Sequence, residues 1–132
     1  MFERFNLTGK TALITGAAGL LGIEHAAALL ESGASVVLTD IDAAGLSSAR
    51  EKLLSSVESS RVVTQVMDVS QSSSIIRTAR EIENKDLRID ILVNNAGINK
   101  RCWFEETTDD DWDEVMAINL KGPFICCQEV FP

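Results

Sequence analysis

The chain has 132 residues, 45% apolar and 24% charged, with a formal net charge of −8. Those values fit one domain with a single modest core, and the acidic balance, with no run of Lys or Arg, excludes binding to a nucleic-acid backbone. The opening MFERFNLTGK is too charged for a signal peptide or membrane span, and Cys102, Cys126 and Cys127 have neither metal-ligand nor disulfide spacing, so the chain reads as a cytoplasmic protein with reduced thiols.

Short β-branched runs alternate with longer segments of helical period, which predicts βαβ units and a parallel sheet. The first strand is Thr11–Thr15, closed by Gly16. A helix follows over 20–32, with Ile23, Ala27 and Leu30 on its apolar stripe, and Gly33 stands where a left-handed cap is wanted. The run SVVLT, 35–39, is apolar enough for a strand covered on both faces. A second helix is expected over 43–57, with Leu46, Ala49 and Leu53 inward; Gly45 weakens it by about 1 kcal/mol if it lies in the interior.

The third strand is read over 61–67. Ser70 is expected to cap a helix carrying Ile75, Ala79 and Ile82. The fourth strand, 89–93, runs into Asn94, Asn95, Ala96 and Gly97. After a polar loop, Thr108 and the three aspartates behind it open the last helix, which Gly122 and Pro123 should kink or interrupt. Four β-α units of this kind imply a doubly wound α/β sheet of Rossmann type, with right-handed crossovers giving the strand order 3-2-1-4.

The stretch TGAAGLLG, 15–22, joins the first strand to the first helix, where glycines let backbone N–H groups approach a pyrophosphate. Glycine-rich turns also serve tight packing, so the stretch alone leaves both readings open. Asp40 ends the second strand 24 residues after Gly16. It can accept from an adenosine ribose and repel a 2′-phosphate, or it can cap the next helix, as Asp42 also can.

Taken with Asp68-Val69, the Asn94–Gly97 run NNAG and the Asn119–Gly122 run NLKG, the glycine stretch makes the chain resemble the short-chain dehydrogenase/reductase family from about Lys10 onward. The resemblance implies a nicotinamide-dependent alcohol or carbonyl oxidoreductase that uses NAD in preference to NADP. Gly16 and Gly22, with Ala18, Gly19 and Leu21 between them, would hold the pyrophosphate. Asp40, with Ile41 beside it, would read the ribose. Asp68 would take the adenine amino group next to the Val69 backbone, and Asn95, Ala96 and Gly97 would line the adenosine ribose. Asn119 matches the asparagine of the family's Asn-Ser-Tyr-Lys tetrad, which binds a water through its backbone and extends a proton relay. Within the glycine stretch the spacing departs from the family's common T-G-x-x-x-G-x-G, because Leu20 takes the place of a glycine and Gly19 precedes it.

The tetrad's tyrosine has no counterpart, since the chain contains none. The resemblance puts the serine, tyrosine and lysine in sequence that would follow Pro132, so the chain is expected to be a truncated cofactor-binding half, inactive on alcohols or carbonyls by itself. Two other readings stay open: a non-enzymatic dinucleotide-binding or regulatory module, and a partner subunit of a full-length relative. An open edge at the fourth strand and a last helix bearing Trp112, Val115, Met116, Leu120, Phe124 and Ile125 predict self-association. His25, the six acids of 105–113, Cys126 and Cys127 are read as structural or solvated, while Trp103 and Phe104 either pack or face substrate.

Overall fold

A computed structural model of the chain describes residues 5–55 and 57–131. Its elements run β1 (Thr11–Thr15), α1 (Leu20–Glu31), β2 (Ser35–Asp40), α2 (Ala43–Leu54), β3 (Val62–Val66), α3 (Ser72–Glu83), β4 (Ile91–Val93), α4 (Asp109–Met116) and α5 (Gly122–Val130). The four strands form one parallel sheet in the order β3-β2-β1-β4. This is the doubly wound topology the alternation of elements predicts.

Strand alternation divides the core into two layers. Ala12, Ile14, Val36 and Leu38 face one side of the sheet, against Ala26 and Leu30 of α1 and Leu46, Ala49 and Leu53 of α2. Leu13 and Val37 face the other side, with Met67, Ile75 and Ile82 of the α3 layer and Cys126 of α5. Both faces of β1 and β2 are therefore dry, which is why their sequences read as continuous apolar runs. Gly33 adopts φ +98 just after α1, and its N–H returns to the Leu30 carbonyl at 3.0 Å.

Several local expectations change in the folded chain. Ser70 does not cap α3; Gln71 holds that position without a side-chain bond, and the Ser70 hydroxyl and N–H donate to Asp68 Oδ1 at 2.7 and 2.9 Å. A local carboxylate competes successfully for the serine, and an Asx-type turn results. Gly45 belongs to the first turn of α2, not its interior: its N–H donates to Asp42 Oδ1 at 3.0 Å. A Cβ there would lie 2.8 Å from Ala18 Cβ. The α2 helix ends at Leu54, short of the expected 57, and Ser56 lies outside the described residues.

Strands β3 and β4 are likewise shorter than their apolar runs. Arg61 turns away from β3 to donate to the carbonyls of Leu30 and Ala34. Before β4, the Asp90 carboxylate accepts from Lys10 Nζ at 2.9 Å and from the Thr11 N–H at 3.1 Å, fixing the start of β1. These bonds hold the Asp90 carboxyl below the usual carboxylate range, Lys10 first and the Thr11 N–H second.

The last helical segment opens on a reciprocal capping box between Thr108 and Asp111. The interruption expected at Gly122 takes the form of a π turn, Ala117–Lys121, in which the Gly122 N–H reaches back to the Ala117 carbonyl. The glycine is required by packing, since a Cβ at 122 would lie 2.8 Å from the Val69 carbonyl. This contact brings α5 against the loop that follows β3.

Candidate functional site

The carboxyl ends of all four strands open on one cleft of about 470 Å³. Its lining takes in Gly16, Gly19, Leu21, Asp40, Ile41, Asp68, Val69, Asn95, Ala96 and Gly97, ten positions singled out from sequence, and adds Leu20, Met67, Ile98 and Ile118. A larger cleft, about 850 Å³, lies between the end of α3 and the end of α5. It is lined by groups such as Arg80, Arg88 and Glu129, and it contains none of the expected site residues.

Thr15 organises the smaller cleft; the sequence reading has it as the first residue of TGAAGLLG and gives it no role of its own. Buried at the end of β1, its Oγ1 accepts the N–H groups of Asn95 and Ala96 at 3.1 and 3.0 Å. The Asn95 carboxamide completes the junction by donating to the carbonyls of Thr15 and Gly16, both at 3.0 Å. The side chain of Asn95 thus ties β4 to the glycine turn. A hydroxyl in an apolar strand was the available signal, because such a group needs a partner once buried.

Two glycines bring backbone segments together here. Gly16 has φ +64, and a Cβ on it would lie 2.8 Å from Ala96 Cα. At Gly22 a Cβ would run into the Gly16 carbonyl and lie 2.6 Å from Ala17 Cα. Gly22 is buried under the turn and Ala18 sits behind it, so neither lines the cleft although both shape it. The start of α1 carries no side-chain cap at Gly19, unlike the starts of α2 and α4. Its first-turn N–H groups are left for water or an anion.

Asp40 ends β2, and Asp68 stands in the loop just beyond the neighbouring β3. Asp40 Oδ2 accepts the Ala18 N–H and Oδ1 the Asp42 N–H, each at 3.0 Å. Asp42 is the helix cap, so the choice between the two acids is settled for α2. Asp68 spends Oδ1 on Ser70, and its Oδ2 has no hydrogen-bond partner among the described residues. That leaves an acceptor beside the cleft.

Asn119 does not line the cleft. It stands in the π turn and grips the loop behind Gly97: Nδ2 donates to the Ile98 carbonyl and Oδ1 accepts the Ile98 N–H, both at 2.8 Å. Further along the same loop, Lys100 pairs with Glu114 and Asp111 of α4. Those partners, Glu114 foremost, raise the Lys100 pKa, while the Thr108 hydroxyl and N–H lower that of Asp111. Trp103 and Phe104 beyond it are strongly exposed and do not line the cleft, and His25 is exposed on α1.

The fold and cleft define an α/β protein of Rossmann type. Residues 10–132 match the family model described as short chain dehydrogenase, and the chain belongs to that family. It is 38% identical over 128 residues to gluconate 5-dehydrogenase of Gluconobacter oxydans (strain 621H), covering 97% of this chain and 49% of that protein. With 5-keto-D-gluconate 5-reductase of Escherichia coli (strain K12) the identity is 36%, over 98% of this chain and 50% of the relative. Among solved structures, a glucose/ribitol-type short-chain dehydrogenase/reductase from Brucella melitensis superposes with a TM-score of 0.88 at 34% identity, over 97% of this chain and 53% of that one. The Pseudomonas aeruginosa RhlG/NADP active-site complex gives 0.91 at 31% identity, over 100% and 50%. The chain spans about half the length of the curated relatives it matches.

Proposed function

We propose that the chain is the NAD-binding part of a short-chain oxidoreductase acting on an alcohol or its carbonyl. The observation that carries this reading is the cleft itself: an uncapped helix start, a turn kept tight by Gly16 and Gly22, and the carboxylates of Asp40 and Asp68 at the carboxyl side of neighbouring strands. Backbone N–H groups between Gly16 and Gly22 would hold the pyrophosphate, aided by the dipole of α1. Asp40 would accept from the adenosine ribose hydroxyls and repel a 2′-phosphate, which favours NAD over NADP. The free Oδ2 of Asp68 suits the adenine amino group, with Val69 beside it. Ala96 and Gly97 would let the ribose approach, while Asn95 keeps their backbone in place.

When bound, NAD supplies or accepts a hydride. Proton movement then falls to protein groups and ordered water. Pro123 has no N–H, so the Asn119 carbonyl lacks the donor four residues on that an α-helix would give it. That carbonyl is suited to hold a water of a proton relay. The 132 residues include no tyrosine, so the reading assigns the acid/base outside this chain and expects binding without turnover from the chain alone. Trp112, Leu120 and Phe124, exposed on the α4–α5 face, together with β4 at the edge of the described sheet, favour self-association.

The test is a titration of the purified chain with NADH, with NADPH in parallel, alongside light scattering of the same sample. Saturable binding of NADH at least tenfold tighter than NADPH, by particles larger than one chain, is the expected result. Equal binding of both would overturn the role of Asp40, and binding of neither would overturn the cofactor reading.

A further inference from the structure

Leu20 stands where the family's common pattern has glycine, and nothing in the core accounts for it. It is the first residue of α1, it lines the cleft, and it is 90% exposed. Leu21 and Ile41 beside the same cleft are each 67% exposed. Three large apolar side chains thus stand in water at the rim of a site whose other groups include Asp40, Asp68 and the uncapped first turn of α1. An exposed apolar cluster bordered by polar groups marks a surface that is covered when a ligand binds.

The topology identifies what would cover Leu20. β1 lies between β2 and β4, so the turn from β1 into α1 occupies the middle of the cleft, between the carboxylates on one side and Asn95 to Ile98 on the other. A dinucleotide laid across the strand ends passes its pyrophosphate over that turn. From these positions we infer that Leu20 is an affinity determinant for the pyrophosphate, an apolar cover that excludes water from the contact between phosphate and backbone N–H groups. The inference rests on the dinucleotide reading of the cleft. With water excluded, the charge of the phosphates is less screened, and the N–H contacts strengthen.

The test compares the wild-type chain with Leu20→Ala and Leu20→Met by calorimetric titration with NADH, ADP-ribose and adenosine, at low and moderate salt. Alanine is a stronger helix former than leucine, so the α1 start is preserved and thermal melting checks it. Leu20→Ala should weaken NADH and ADP-ribose by about tenfold and steepen their salt dependence, leaving phosphate-free adenosine within twofold. Leu20→Met keeps the cover and should bind as the wild type does. Unchanged NADH affinity in Leu20→Ala, or an equal loss for all three ligands, would overturn the role given to Leu20. Failure of the wild-type chain to bind NADH and ADP-ribose is a different outcome, since it removes the dinucleotide reading beneath the inference.

Discussion

Asn119 and Ile98 form a reciprocal pair, the carboxamide of one giving and taking a hydrogen bond with the backbone of the other at 2.8 Å each way. The pair joins the π turn to the loop that leaves β4, so two segments 21 residues apart share one geometry. Asn119→Ala should cost about 1 kcal/mol in chemical denaturation, modest because the pair is exposed. Faster exchange of the Ile98 amide proton should accompany it, with amides of β1 unchanged. An unchanged exchange rate at Ile98 would mean that the loop holds its shape without Asn119.

The glycines of the turn are unequal. Gly22→Ala would drive a methyl into the Gly16 carbonyl and the Ala17 backbone, which cannot move without displacing β1. A loss of about 1–3 kcal/mol is expected, together with loss of NADH binding. By contrast, Gly19 has φ −76, and a Cβ there would stand 3.3 Å from the Gly16 carbonyl. Gly19→Ala should therefore stay within about 1 kcal/mol of wild type. Melting of the two variants under one buffer checks the contrast, and equal losses would refute it.

The fold was legible where one physical cause dominates. Dry strands such as SVVLT, the stripe Leu46, Ala49 and Leu53, and the Thr108 cap each follow from local pattern alone. What escaped depends on neighbours distant in sequence. The hub role of Thr15 requires Asn95 and Ala96, 80 and 81 residues away, and the need for glycine at 122 comes from the Val69 carbonyl across the fold. Ser70 looked like a cap because its type suits one, but Asp68 two residues before it offered a nearer acceptor. In the site, the glycine turn and two acids could be read in order along the chain, whereas the bracing by Asn95 and Asn119 could not.

Asp40 has a structural and a recognition role that one substitution can separate. Asp40→Asn keeps an oxygen for one of the two backbone donors, Ala18 or Asp42, and removes the charge. NADPH should then bind about tenfold tighter relative to NADH than it does in the wild type, equivalent to about 1.4 kcal/mol of selectivity. Parallel fluorescence titrations with the two nucleotides measure that ratio. A ratio that does not move would show that the carboxylate serves only to brace Ala18 and the start of α2.

Cys126 is buried on the inward side of α5, and burial, with a smaller effect from Cys127, pushes its thiol pKa from 9.0 up to about 11. The folded state therefore holds the proton more tightly than the unfolded state. The stability this contributes is complete below about pH 9 and is lost as the pH rises toward 11, by roughly 2–3 kcal/mol in all. With no tyrosine in the chain, phenol ionisation does not overlap that window. Denaturation of wild type and Cys126→Ala between pH 8 and pH 11 should show the steeper decline in the wild type. Because Cys102 and Cys127 are exposed, iodoacetamide at neutral pH should label those two while leaving Cys126 unmodified. Parallel pH profiles for the two proteins, or labelling of Cys126 in the folded state, would mean that the thiol is more accessible than its 1% exposure implies.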